Sequence, residues 1–178
     1  MAAALYVNGC KNLSYLLEVC DIRDNKLIIS ETIEAKAPSV TFPSGVRVEG
    51  TRTVAYYLSQ VACPKLLGES PLERAQIDQW LEYWQIEMIP ALDNKAQMKA
   101  ILQELDWQLQ HRVFLVGHRL SLADVMLFMT LHTSVTEMSC QEREQLINVS
   151  RWFSTVQALL SSKTSLSMVT FPRNLLYS

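Results

Sequence analysis

A chain of 178 residues, 49% of them apolar and 19% charged, is long enough to bury a sizeable core and too short for more than two compact domains, which excludes a disordered or fibrous protein. Sixteen Lys and Arg against eighteen Asp and Glu give a formal charge of −2. With no cationic excess to hold a polyphosphate by counterion release, direct nucleic-acid binding is not expected.

The internal apolar run Val125 to Met129 is far shorter than the roughly 20 residues that cross a bilayer, so no membrane span is expected. The apolar start, Met1 to Val7, has no basic residue before it and stops too early at Asn8 for a secretory signal, which reads as an intracellular chain. Cys10, Cys20, Cys63 and Cys140 are widely separated and form no CxxC pair, a pattern of reduced and mostly buried thiols. On that reading the sequon Asn148-Val149-Ser150 is a chance match.

In chain order, Leu5-Tyr6-Val7 reads as a strand, and Leu13, Leu16 and Leu17 at helical spacing mark a helix from Asn12 to Val19. Lys26 to Ile33 reads as a second strand. Ser39–Phe42 and Val46–Val48 form a hairpin across Pro43-Ser44-Gly45. Thr51 opens a helix whose core stripe is Val54, Leu58 and Val61. Beyond Cys63-Pro64-Lys65 and Gly68 the texture changes to amphipathic helices, which divides the chain into 1–63 and 64–178. Ser70-Pro71-Leu72-Glu73 is a capping box with proline at the first helical position, predicting a helix from Pro71 to about Met88, ahead of Pro90. Met98, Ile101, Leu102, Leu105 and Leu109 give a second stripe. Ser121 and Asp124 form another reciprocal cap, and the apolar segment after it belongs at the centre of a bundle. Ser139 starts a short helix, and Val149, Trp152, Phe153, Val156, Leu159 and Leu160 define the last long one.

A βαββα unit followed by a helical bundle resembles the glutathione-transferase fold. The segment Val116 to Asp124 looks like the loop and cap that open the central helix of that family's second domain. Ala37-Pro38-Ser39-Val40, with Gly45 to Thr51, resembles the cis-proline strand, hairpin and helix start of its thioredoxin-like half. The predicted class is therefore α+β: a shortened thioredoxin-like βαββα part and an all-helical transferase-type part. Gln79-Trp80-Leu81-Glu82-Tyr83, Asn148 to Phe153 and Val169 to Tyr177 are similar to segments of the transferase-like proteins of the eukaryotic multi-tRNA-synthetase complex, including its auxiliary proteins of elongation factor one epsilon type.

Fold alone does not grant activity. A glutathione site needs a hydroxyl or thiol after the first strand to stabilise the thiolate. Tyr6 lies in that strand and Ser14 in the helix, leaving Cys10 as the loop candidate. Where the family has an acidic or amide residue followed by serine, this chain has Gly50-Thr51, and too few residues separate Thr32 from Pro38 for the helix that supplies more of the site. No catalytic residue and no cofactor are assigned. His111, His118 and His132 have no metal-ligand spacing.

Docking surfaces remain. Thr53, Tyr56, Tyr57 and Gln60 lie off the core stripe of their helix, and Trp80 and Tyr83 lie to one side of the Ile77, Leu81, Trp84, Met88 stripe. Trp80 is either part of a wide core stripe or the edge of an interface. Arg151 sits near the start of the last long helix, where the dipole disfavours a cation; either solvent or a partner's carboxylate compensates it. The resemblance implies a scaffold that is monomeric or weakly dimeric alone. One face, on helices 51–62 and 71–88, would meet the transferase-like domain of methionyl-tRNA synthetase. The other, around Arg151 and the loop before helix 71–88, would meet that of glutamyl-prolyl-tRNA synthetase. It further implies a cytoplasmic and also nuclear location. The rival classes are a glutathione-dependent or glutathione-binding protein and a subunit of an elongation-factor complex.

Overall fold

The computed structural model describes residues 3–7, 10–22, 27–30 and 37–171. Strand β1 (Ala3–Tyr6) buries Ala3 and Leu5 while Ala4 and Tyr6 stay half-exposed, the two-residue alternation of a half-covered sheet. Helix α1 (Lys11–Val19) then covers that face with Leu13, Leu16, Leu17 and Val19. Strand β2 (Leu27–Ser30) runs parallel to β1, as a crossover through a helix requires; β3 (Ser39–Thr41) is antiparallel to β1, and β4 (Arg47–Glu49) is antiparallel to β3. The sheet order is β2-β1-β3-β4. The remainder of the predicted strand Lys26–Ile33 and the stretch before Ala37 lie outside the described residues, as does Pro172 to Tyr177.

The β3–β4 hairpin closes with the Gly45 N–H donating to the Phe42 carbonyl at 2.9 Å. No cis peptide bond occurs among the described residues, so Pro38 departs from the cis-proline pattern; its carbonyl accepts from the Gly50 N–H at 2.9 Å, which prolongs the hairpin ladder.

Helix α2 (Thr51–Ala62) buries Val54, Ala55, Leu58 and Ser59. Val61 is not on that stripe: it is 42% exposed, because it falls about 90° from the stripe's centre at 100° per residue. A 3₁₀ turn (Pro64–Leu67) leads to α3 (Pro71–Tyr83). Ser70 Oγ accepts from the Glu73 N–H at 3.1 Å, and Glu73 Oε2 accepts from the N–H groups of Glu69 and Ser70 at 2.8 and 3.4 Å. Gly68 approaches this cap with φ +76°, and a Cβ there would lie 2.8 Å from that of Glu73.

The helix does not stop at Met88. A π turn (Trp84–Met88), with the Ile89 N–H donating to the Trp84 carbonyl five residues back, carries it into α4 (Ile89–Ala91). The wider turn makes room for the Pro90 ring, which would clash with a regular helical turn.

Asn94 caps α5 (Lys95–Gln108) through the N–H groups of Ala96 and Gln97. Helix α6 (Leu122–Glu137) is buried nearly all round. Helix α7 (Cys140–Gln145) opens on a Ser139–Glu142 capping box. Helix α8 (Ile147–Leu160) buries Val149, Trp152, Phe153, Val156 and Leu160. Leu159 is 49% exposed, about 75° from the centre of that stripe, at its edge. No helix among the described residues is long and apolar enough to cross a membrane.

Three polar knots lock the layers. Asp124, fully buried, accepts from the Ser121 N–H and Oγ at 2.9 and 2.6 Å, from the Leu115 N–H at 2.9 Å and from Trp152 Nε1 at 2.8 Å. Thr130 Oγ1 accepts from Asn12 Nδ2 of α1 at 2.8 Å and Trp84 Nε1 at 2.7 Å, and donates to the Met126 carbonyl. Gln157 brackets Val169 as a strand would, accepting its N–H at 2.8 Å and donating to its carbonyl at 3.0 Å. Glu18 of α1 holds the same final segment through the Ser165 N–H and hydroxyl.

Candidate functional site

Helix α2 turns Thr53, Tyr56 and Gln60 outward, with Tyr56 37% exposed, and half-buries Tyr57 edge-on against Phe42, ring centroids 5.1 Å apart. These four side chains line one apolar hollow of about 330 Å³ with Val40, Val48 and Val54. Because β4 is an edge strand, the hollow lies at the rim of the sheet. Alongside runs a more polar groove of about 650 Å³ between α2 and α3, where Thr53 and Tyr56 meet Arg52, Arg74, Asp78 and Gln85. An Arg52–Asp78 ion pair spans it. Arg74 and Asp78, four apart on one helical face, were the overlooked signal for this groove.

Trp80 and Tyr83 are not part of that surface. They lie on the opposite flank of α3, in a cleft of about 290 Å³ towards α5, lined also by Gln76, Gln79, Glu104, Gln108 and Arg112. Half a turn separates them from Arg74 and Asp78 on the helix, which is why one flank cannot carry both sets. The two rings meet edge to face at 5.7 Å, and Tyr83 Oη donates to Glu104 Oε2 at 3.0 Å. Burial, then that carboxylate, pushes the Tyr83 phenol well above its usual range, so it serves as a neutral donor.

Arg151 is compensated from within. One of its terminal nitrogens donates to the carbonyls of Leu109 and Arg112 at 2.6 and 2.9 Å, at and just past the end of α5. The negative end of one helix dipole thus offsets the positive start of another, and the inference of an external counter-charge from the dipole alone does not hold. Arg112 is fixed in the same way, donating to the Leu115 carbonyl at 3.3 Å. Among the described residues neither guanidinium has a carboxylate within ion-pair distance. Arg112 joins Arg151 to the Trp80–Tyr83 cleft, so these residues form one neighbourhood. On the same two helices, α5 and α8, Trp107 and Ile147 are 69% and 67% exposed. Trp107 points away from the Met98–Leu109 stripe by about half a turn, a placement readable from spacing.

The candidates for thiolate chemistry are dispersed. Tyr6 stays in β1 and Ser14 in α1; Cys10 is the residue before α1 and caps nothing with its side chain. Cys10 lines a cavity of about 800 Å³ between α1 and α6 with Lys11, Tyr15 and His132, while Gly50 lines the α2–α3 groove, and the two share no lining residue. Gly50, at φ +103°, leaves α2 without a side-chain cap and has its N–H committed to Pro38. His132 bonds the Ser167 carbonyl through Nε2 at 2.9 Å, and His111 and His118 are exposed. The cysteines are free, but only Cys20 is buried: Cys10 and Cys63 are half-buried and Cys140 is exposed at the first turn of α7. The Asn148 side-chain nitrogen is held by Asp106 at 2.9 Å.

Residues 73–160 match the family described as nuclear-export cofactor Arc1p. A eukaryotic translation elongation factor 1 epsilon-1 from Cricetulus griseus is 34% identical over 146 residues, 82% of this chain and 83% of that protein. A bifunctional glutamate/proline–tRNA ligase of the same organism is 29% identical over 160 residues, 88% of this chain and 10% of the ligase. A glutathione S-transferase from Pichia kudriavzevii superposes with a TM-score of 0.71 at 20% identity, covering 91% of this chain and 96% of that one, a likeness of fold alone. With about a third of the aligned residues identical along most of both lengths, the chain belongs to the glutathione-transferase-like family of eukaryotic translation elongation factor 1 epsilon-1.

Proposed function

We propose that the chain is a non-catalytic scaffold of the translation apparatus that docks transferase-like domains of aminoacyl-tRNA synthetases in a cytoplasmic complex. One face is the hollow and groove along α2 and α3, with Thr53, Tyr56, Tyr57 and Gln60, for the domain of methionyl-tRNA synthetase. The second is the neighbourhood of Arg151, Arg112, Trp80 and Tyr83, for that of glutamyl-prolyl-tRNA synthetase. The observation that carries the reading is the pair of separate clefts on opposite flanks of α3, since a bridge needs two faces that do not compete. Similarity to a stretch of a glutamate/proline–tRNA ligase supports docking of like folds. The division of Cys10 and Gly50 between unrelated cavities supports the absence of transferase chemistry.

Mixing the purified chain with both domains gives a defined ternary assembly in size-exclusion chromatography; separate peaks overturn the partner assignment. Arg151→Ala weakens the second partner at least tenfold, a loss of about 1.4 kcal/mol, and spares the first. Calorimetric titration with glutathione gives no binding tighter than about millimolar; a tighter constant, or turnover of an electrophile, overturns the non-catalytic reading.

A further inference from the structure

A third concave surface lies between α5 and the turn from α6 into α7, and it shares no lining residue with the α2–α3 groove or the Trp80–Tyr83 cleft. Its floor is apolar. Met98 and Leu102 of α5 and Leu146 after α7 are buried there, Met138 is half-buried, and Leu92, 44% exposed, completes it. The banks carry unlike charges: α5 contributes Lys95 and Lys99, and the opposite side contributes Glu137 and Glu142. Glu142 is committed to the Ser139 cap, which holds its carboxyl low first, the two ammoniums across the groove only then. The other three charges are set against their own helices. Lys95 is the first residue of α5, where the dipole disfavours a cation, and Glu137 is the last of α6, where it disfavours an anion. Lys99 lies one turn from Lys95, at a spacing where like charges repel. Among the described residues none of the three has an opposite charge within ion-pair distance.

The shape selects an elongated occupant. From Lys95 to Gln103, α5 follows the groove for about 12 Å. Over that length a volume of about 320 Å³ makes a channel about 5 Å wide, half the diameter of a helix. A row of side chains enters it and a backbone stays outside. We propose that this groove docks one amphipathic helix of a partner protein, its apolar row on the floor, its acidic flank along Lys95 and Lys99, and its basic flank along Glu137 and Glu142. The occupant carries both signs because the banks do, and each flank relieves a charge that the dipole or a like neighbour disfavours. Met98 and Met138 suit such a row, since unbranched thioethers repack around varied side chains. With no lining residue in common, this helix docks while both other faces are filled.

The test is an NMR titration of the full chain, labelled in its methionine methyl groups, with a synthetic helical peptide of about 15 residues that carries leucine at i, i+3, i+4 and i+7, glutamate on one flank and lysine on the other. The Met98 and Met138 signals move saturably, while those of Met88 and Met126, buried in the core, stay in place. Glutamine on both flanks weakens binding about fivefold. In the variant Lys95→Glu with Lys99→Glu the first peptide weakens by a similar factor, and a peptide with lysine on both flanks binds more tightly than it does to the wild type, an exchange that misfolding does not produce. Static Met98 and Met138 signals overturn the proposal, as does equal affinity for the glutamine peptide. Movement centred on Met129, which lines the cavity between α1 and α6, overturns it too. So does a shift of the two groove methyls when the chain alone is concentrated, which assigns the groove to a second copy.

Discussion

Four donors from three residues converge on the Asp124 carboxyl, and the three residues lie at different distances along the chain. Spacing alone reveals the Ser121 contribution, because a capping box is a local object. Leu115 and Trp152, nine and twenty-eight residues away, become visible only once the helices pack. Burial raises the carboxyl and the four donors pull it back, so the group serves as the hub that fixes the loop before α6 against α8. Asp124→Ala strands two buried N–H donors and the cap, and a destabilisation of about 3 kcal/mol is expected in urea unfolding. Arg151 illustrates the opposite lesson: its place on the helix was legible, but the carbonyls that hold it belong to another element's end. Arg151→Ala therefore costs about 1 kcal/mol or less in stability, against a larger loss of partner binding.

Elements were read most securely where a cap and an apolar stripe agreed, as at Ser70–Glu73 with Ile77 and Leu81, or Ser121–Asp124 with the apolar run behind it. Stripe edges were read less well: Val61 and Leu159 continue their patterns in sequence but rotate out of the core. Pro90 read as a stop, and a π turn let the helix pass it. The cap of α3 has a pH signature. Backbone N–H groups of Glu69 and Ser70 hold Glu73 below its ordinary 4.5; a lowered acid stabilises above the unfolded-state value and loses that contribution as pH falls through the native one. Wild type should melt above Glu73→Gln at pH 7, and the gap should close on acidification below about pH 4; a constant gap in a calorimetric pH series would assign the difference to packing. Gln157 pins the last segment to α8 by two hydrogen bonds. Gln157→Ala is expected to cost about 2 kcal/mol and to speed amide exchange at Val169 well beyond that of the α6 core.

At the scale of the molecule, a single hydroxyl ties α1, the end of α3 and α6 together: Thr130 takes Asn12 on one side and Trp84 on the other. No periodicity marks such a residue, which reads as one more position on a buried helix. Thr130→Val keeps the shape and removes the acceptor, leaving the Trp84 indole N–H unpaired. We expect a loss of about 2 kcal/mol, seen as a lower midpoint in a single cooperative unfolding transition. The fold class was legible from the order of elements, while the division of the proposed docking residues was not, since Trp80 and Tyr83 turn to the far flank of α3. That division has a mechanical corollary. Helix α3 is a rod about 10 Å across, gripped by whatever fills the hollow on one side and the aromatic shelf on the other. If binding at the hollow rolled the rod, the shelf would move with it, and the two affinities would then be tied reciprocally by one common factor.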